Sequence, residues 1–281
     1  MSTIAPISAA DVNKLRQMTG AGMMDCKKAL TEANGNFEEA VDYLRKKGQK
    51  VAANRSDRDA KEGVVIGKTT ADGKRGVLIV LNCETDFVAK NDAFVAFTTS
   101  ILDLAIEKNP ATLDELKALN LDGLTVEERV TEQVGKIGEK IELSAYEKVD
   151  AEKVVVYNHP GNKVATVVGF NKGGSEAIDT AAKDVAMQVA AMAPVALDKD
   201  DVDAKTLERE IEIGKEQARA EGKPEDMLEK IALGKLNKFY KESTLLNQEF
   251  IKDNKKSIRQ YLDETEKGLI ATGFKRISLA K

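Results

Sequence analysis

Two parts of the chain repeat one order of predicted elements, in which two apolar strands joined by a turn precede a helix. The segments of the first copy are residues 64–66, 77–81 and 92–108, with Asp72-Gly73 in the turn. The segments of the second copy are residues 154–157, 164–170 and 175–192, with Pro160-Gly161-Asn162 in the turn. A hairpin followed by a helix buries its apolar side when the helix packs on the sheet. The repeat therefore predicts an α+β fold with two related core subdomains, each containing a small antiparallel sheet.

The N-terminal part of the chain predicts a separate group of three short helices. Ser8 and Asp11 have the spacing of a capping box, and Gly20 is placed to end the first helix. Asn36 is placed to begin the third helix, whose apolar residues recur at the spacing of one helical face. Because so small a unit has a thin core, a docking role suits it better than catalysis.

A highly charged segment late in the chain predicts a helical hairpin. Its connection, Glu221-Gly222-Lys223-Pro224, combines a glycine that ends one helix with a proline that begins the next. The predicted apolar stripe is narrow and consists of Leu207, Ile211, Ala218, Leu228, Ile231 and Phe239. The predicted layout is a three-helix module over 1–48, a linker over 49–62, a first core subdomain over 63–149, a second over 150–197 and 242–281, and the inserted hairpin over 198–241.

Composition argues against several classes of function. The chain has 43 basic and 47 acidic residues, so it lacks the basic field expected of a protein that binds nucleic acid directly. Cys26 and Cys83 have no metal-ligand spacing and the chain has one histidine, so we expect two small core residues without a metal or a disulfide. No phosphate-binding loop motif is present, so we expect no bound cofactor and no enzyme activity. No leader or membrane-length apolar run is present, which favours a cytoplasmic protein without membrane contact.

The corner between the first apolar hairpin and its helix places an acid beside an aromatic residue. Asp86 and Phe87 follow the strand over 77–81 directly. Rigid elements on both sides of a surface turn make it a common position for binding residues. The alternative is structural, with Phe87 packed under its own helix and Asp86 capping that helix.

Two segments resemble the signatures of a known family. Residues 82–91 read NCETDFVAKN and residues 15–30 read LRQMTGAGMMDCKKAL, and both resemble signatures of the bacterial translation elongation factor Ts family. The resemblance extends from about residue 8 to about residue 280. It implies a guanine-nucleotide exchange factor that binds elongation factor Tu, a GTPase, and promotes GDP release. It also implies a ubiquitin-associated-like fold for the three helices and a coiled coil in the hairpin, through which a homodimer can form. From the residues alone, the narrow apolar stripe fits equally well a solvated antiparallel hairpin that packs only on itself.

The resemblance also implies which residues contact the GTPase. The residues implied to form a wedge at the nucleotide site, where Mg²⁺ is dislocated, are Thr85, Asp86, Phe87 and Val88. The other implied contacts are Arg16, Met23, Met24, Ile137, Gly138, His159, Ile251 and Lys252. From the residues alone, Ile137 is also interpretable as core, Gly138 as a helix stop and His159 as a turn residue. Since the chain ends at Lys281, we expect no contacts from the extra C-terminal helix that many family members carry.

A second class of function stays open at this point. A protein with the same helical module could act as an adaptor that binds helical partners without exchanging nucleotide. A hydrolase or transferase is not supported, because the sequence lacks every group of residues that such chemistry needs.

Overall fold

The computed structural model describes residues 7–280, which form a mixed α+β fold. The helices are α1 (Ala9–Thr19), α2 (Met23–Glu32), α3 (Phe37–Asn54), α4 (Asp86–Ala89), α5 (Asp92–Lys108), α6 (Leu113–Ala118), α7 (Val126–Ile137), α8 (Glu176–Met192), α9 (Ala204–Ala220), α10 (Leu228–Ser243) and α11 (Ile258–Thr265). The strands are β1 (Glu62–Thr69), β2 (Arg75–Cys83), β3 (Asn120–Leu121), β4 (Leu124–Thr125), β5 (Glu142–Asp150), β6 (Lys153–Asn158), β7 (Val164–Phe170), β8 (Glu249–Phe250), β9 (Asp253–Ser257) and β10 (Ala271–Ser278). Both predicted strand–turn–strand–helix units are therefore present.

The chain divides into two compact units. Of the described residues, the first unit contains residues 7–64 and Ile79–Tyr146, and the second contains Val65–Leu78 and Glu147–Ala280. The second unit includes the hairpin helices α9 and α10, which are packed on each other. This division differs from the predicted domain layout, which stays a prediction.

The first unit begins with the three predicted helices. Ser8 and Asp11 form the expected capping box, and Gly20 ends α1 in the left-handed conformation. The side chain of Asn36 caps α3 by accepting hydrogen bonds from two backbone N–H groups. Their common core contains buried Leu15, Cys26 and Leu30. Helix α3 continues to Asn54, so the segment predicted as a linker from residue 49 begins as helix.

Helix α3 also packs against α7, a helix that the sequence analysis did not assign. Gly48 and Gly135 lie at this crossing, and a Cβ atom built on Gly135 would lie 2.8 Å from the Cα atom of Gly48. No side chain fits at that distance, so two glycines allow the helix backbones to approach closely. Helix α3 thus belongs to two packing groups, the three-helix core and the contact with α7.

Two three-stranded sheets form the core. The first has the order β1-β2-β5, in which β5 is a strand absent from the sequence prediction. The second has the order β10-β7-β6, and β7 pairs antiparallel with both neighbours. In the second unit, β7 packs with α8 and α11 around fully buried Phe170. Strand β10 forms the outer strand of this sheet on the side opposite β6.

The seam of the helical hairpin coincides with the predicted stripe only at Ala218 and Leu228. Buried positions are Gly214 and Ala218 in α9 and Leu228, Ala232 and Leu236 in α10. Leu207, Ile211, Ile231 and Phe239 are only partly buried. Small residues account for the difference, since a Cβ atom on Gly214 would lie 3.1 Å from the Cα atom of Ala232.

Cys26 and Cys83 are both buried, as the sequence predicts for small core residues. Among residues 7–280, no helix combines the length and the apolar character that crossing a membrane requires.

Candidate functional site

The corner after β2 presents Phe87 to solvent. Strand β2 ends at Cys83, and the Thr85 hydroxyl caps the one-turn helix α4 by accepting from the backbone N–H of Val88. Phe87 is 82% exposed, so it does not pack beneath its own helix. Thr85, rather than Asp86, is the capping residue. The structural alternative for the corner is therefore wrong, and an exposed aromatic side chain remains at a defined turn.

Asp86 lies beside Phe87 and forms an ion pair within α4. Its carboxylate accepts from Lys90 Nζ at 2.6 Å. The hydrogen bond and the charge of Asp86 raise the pKa of the Lys90 ammonium. Both side chains are largely exposed to solvent, so the ion pair contributes little to stability.

Glu139 holds the backbone of the corner in place. Its Oε2 atom accepts from the backbone N–H groups of Glu84 and Thr85, both at 3.1 Å. Its Oε1 atom accepts from the Thr85 hydroxyl at 2.7 Å. One carboxylate therefore satisfies three donors at the residues that enter α4.

Glu84 makes the reciprocal contacts. Its Oε1 atom accepts from the backbone N–H of Lys140 at 2.6 Å and from Arg55 at 2.8 Å. Its Oε2 atom accepts from Arg58 at 3.3 Å. Burial raises the pKa of Glu84, but the Lys140 N–H and the two guanidinium groups outweigh burial and bring the pKa below its usual value.

Ile137 and Gly138 lie at the end of α7, next to these contacts in the chain. Gly138 ends the helix with a φ of 80°, in the left-handed region that glycine adopts without strain. Ile137 is partly exposed rather than a buried core residue. Because Glu139 and Lys140 follow directly, the structure brings the end of α7 together with the Thr85–Val88 corner.

Arg16, Met23 and Met24 lie on the surface of the three-helix group. Arg16 is exposed in the last turn of α1, and both methionines are exposed in the first turn of α2. Met18 is exposed as well. Exposed methionines offer a flexible apolar surface that adapts to a partner.

In the second unit, His159 and Ile251 line one surface groove. The groove has a volume of about 350 Å³, and its other lining residues are Tyr157, Val164, Met187, Ala190 and Ala191. The Tyr157 hydroxyl and His159 Nδ1 are hydrogen-bonded at 2.9 Å. His159 is exposed, and a mostly apolar wall lies beside it. The sequence distance between His159 and Ile251 gave no indication of this proximity.

Lys252 is tied to a buried carboxylate. Its Nζ atom donates to Asp184 Oδ1 at 2.7 Å, and Tyr261 donates to Asp184 Oδ2 at 2.8 Å. Burial, followed by the hydrogen bond with Asp184, raises the pKa of the Tyr261 hydroxyl. The sequence gives no signal for the roles of Asp184, Glu84 and Glu139, because their hydrogen-bond partners are distant along the chain. Residues 7–280 contain no group of three or more His, Cys, Asp or Glu side chains able to hold a metal ion.

Comparison with known proteins identifies the family. The family model described as Elongation factor TS matches residues 84–281. Elongation factor Ts of Cytophaga hutchinsonii is 59% identical over 278 residues, covering 99% of this chain and 100% of the relative. Elongation factor Ts of Amoebophilus asiaticus is 55% identical, with 96% of this chain and 98% of the relative covered. This chain belongs to the elongation factor Ts family.

A third elongation factor Ts, from Flavobacterium psychrophilum, is 51% identical and matches 98% of this chain and 100% of the relative. Agreement over nearly the full length assigns both compact units to the elongation factor Ts fold. The family predicted from residues 15–30 and 82–91 is confirmed.

Proposed function

We propose that this chain releases GDP from elongation factor Tu by inserting the Thr85–Val88 corner beside the nucleotide site. By its family, the chain is a guanine-nucleotide exchange factor of translation elongation and not an enzyme in the usual sense. The observation that supports the corner as the acting element is the exposure of Phe87 on a turn fixed by hydrogen bonds. An exposed aromatic ring on a fixed turn offers apolar area that a partner can bury.

The two side chains at the corner have different roles in this proposal. Phe87 enters an apolar space between helices of the GTPase, and burying it contributes about 1.5–3 kcal/mol. Asp86 brings a carboxylate toward the groups that hold Mg²⁺ and phosphate, which weakens their hold on the nucleotide. Thr85 and Val88 flank these two side chains in the same turn.

Linkage determines what such a wedge achieves. If the exchange factor weakens GDP binding by some factor, GDP weakens binding of the exchange factor by the same factor. A ten-thousand-fold effect requires about 5.5 kcal/mol of differential contact energy. One aromatic side chain supplies only part of this, so further contacts must hold the corner in the site.

Two further groups of residues supply these contacts in this proposal. Arg16, Met23 and Met24 dock on the nucleotide-binding domain of the GTPase. Ile137, Gly138, His159, Ile251 and Lys252 contact a second domain of the GTPase. The apolar groove at His159 and Ile251 supports the second assignment, because it can accept an apolar side chain of the partner.

The proposal also covers the roles of the three N-terminal helices and of the helical hairpin. The three helices α1–α3 form a ubiquitin-associated-like docking module, and the hairpin α9–α10 is a coiled coil available for homodimer formation. The protein works in the cytoplasm with the GTPase as its partner, without direct contact with nucleic acid or membrane.

Release of labelled GDP from elongation factor Tu tests the proposal. We expect release to accelerate with the concentration of this protein and then to saturate. Complex formation without acceleration would support the adaptor alternative. Sedimentation of the protein alone tests the homodimer.

A further inference from the structure

We infer that Glu139 and Glu84 are positioning residues for nucleotide exchange, which fix the corner and join it to the end of α7. The inference rests on the proposed function, in which Thr85–Val88 is the acting segment. We name the reciprocal contacts of Glu84 and Glu139 the carboxylate clamp. Neither carboxylate needs to touch the partner, since both act through the backbone that carries Phe87.

The conformation of the corner depends on contacts from outside α4, because a helix this short is not stable by itself. Helix α4 has 4 residues, and a single turn is unstable unless tertiary contacts hold it. Phe87 is almost fully exposed and supplies no packing that would fix the turn. The Thr85 hydroxyl caps α4 and at the same time donates to Glu139 Oε1 at 2.7 Å. Glu139 therefore orients the capping hydroxyl itself.

The carboxylate clamp joins the corner to the segment that follows α7 through contacts made by both segments. Glu139 accepts from the backbone of the corner, and Glu84 in the corner accepts from the backbone of Lys140. Charge-assisted hydrogen bonds of this kind are about twice as strong as neutral ones. Arg55 and Arg58 compensate the charge of Glu84, whose side chain is only 15% exposed. The corner and the end of α7 are therefore fixed to each other as one surface.

A fixed corner gives a faster exchange step than a mobile one. A loop that must become ordered during insertion loses part of its contact energy to that ordering. With the clamp in place, Phe87 is presented in one orientation before the partner arrives. Removing the clamp should therefore reduce the rate of the step that inserts Phe87, while the docking surfaces at Arg16, Met23 and Met24 remain intact.

The test compares three variants in release of labelled GDP from elongation factor Tu at increasing concentrations of the full-length exchange factor. Glu139→Ala removes all three acceptor contacts. We expect its saturating release rate to fall about tenfold, with a half-saturating concentration within about twofold of the wild type. Glu139→Gln keeps the side-chain shape and one carbonyl acceptor, so we expect it to recover much of the rate. Equal, full saturating rates for wild type and Glu139→Ala would overturn the inference.

Glu128→Ala is the matched control for general loss of stability. Glu128 accepts from the backbone N–H and the hydroxyl of Thr125, so it also binds a helix cap through a carboxylate, at the other end of α7. We expect Glu128→Ala to lower the melting temperature and to leave the saturating release rate unchanged. If Glu128→Ala slows release as much as Glu139→Ala does, the effect is one of stability and the inference fails.

A double-mutant cycle shows whether Glu139 acts through Phe87. In the Phe87→Ala background, Glu139→Ala should slow the saturating rate by a smaller factor than in the wild type, because one of the two side chains that it positions is absent. Independent, multiplying effects would overturn the inference. A wild-type protein that does not accelerate release would instead refute the proposed function, so the two failures are distinguishable.

Discussion

The Tyr261 hydroxyl donates a hydrogen bond to the buried carboxylate of Asp184 at 2.8 Å, beneath the Ile251–Lys252 surface. Tyr261 also stacks on Phe250, with ring centroids 4.1 Å apart. The hydroxyl therefore completes the contacts of a carboxylate whose other oxygen binds Lys252. A surface proposed for partner contact thus rests on a buried polar group.

Tyr261→Phe should lower the free energy of unfolding by about 1–3 kcal/mol, because it removes a donor from a buried carboxylate while keeping the ring stack. Tyr157→Phe is the control, since the Tyr157 hydroxyl contacts exposed His159 and its loss should cost less than about 1 kcal/mol. Urea unfolding measures both variants. Equal stability losses would show that burial of Asp184 adds nothing to the strength of this contact.

Phe87→Ala should slow saturating GDP release strongly while changing the free energy of unfolding by less than about 1 kcal/mol, because the side chain is exposed. Phe94→Ala removes a buried ring in the neighbouring helix α5 and should cost about 3–5 kcal/mol. Stopped-flow release and thermal melting measure the two effects. Phe87 would be a structural residue if its removal lowered the melting temperature and left release normal.

The Glu84 carboxylate should make stability depend on pH. Its pKa in the folded protein is below the usual value of 4.5, so the unfolded chain binds the proton more readily. This contribution to stability is present above that usual value and is lost as pH falls through the folded pKa. Glu84→Gln should therefore lose less stability than wild type between about pH 7 and about pH 4. Denaturant unfolding at both pH values measures the difference, and identical losses would contradict the prediction.

Gly135→Ala should destabilise the protein by about 1–3 kcal/mol, because the added methyl group meets the backbone of Gly48 at the crossing of α3 and α7. Gly234→Ala in α10 is the control, for which we expect a change in stability of the opposite sign. A Cβ atom there meets nothing within 4 Å, so helix propensity should stabilise that variant by about 0.5–1 kcal/mol. Thermal melting of both variants checks the two signs, and a stabilised Gly135→Ala would show that the crossing tolerates a side chain.

Local signals in the sequence were sufficient for much of the fold. The predicted helix over 92–108 and strand over 164–170 have the observed bounds, because caps and apolar runs identify them without tertiary information. Strand β5 was missed because its residues are mostly polar and only partly buried. The seam of the hairpin was predicted correctly at Ala218 and Leu228, but Gly214, where the two helices approach closely, was not part of the prediction.

Some residues of the candidate site could be found from the sequence, and others could not. An acid beside an aromatic at a strand-to-helix corner made Asp86 and Phe87 candidates, and the resemblance of residues 15–30 and 82–91 to the family signatures favoured binding over the structural alternative. Glu139 could not be found in this way, since its contact with Thr85 spans 54 residues of sequence. The sequence around Gly138 does not indicate that Glu139 binds the Thr85–Val88 corner.

The continuity of helix α3 sets a length scale in the first unit. Its 18 residues span about 27 Å, with Phe37 in the three-helix core at one end and Arg55, the partner of Glu84, just past the other. A continuous helix, and not a flexible linker, therefore fixes the distance between Phe37 and Arg55. Inserting or deleting one residue in α3 would rotate one end relative to the other by about 100°. The number of residues in α3 therefore determines both the distance and the relative rotation between its two ends.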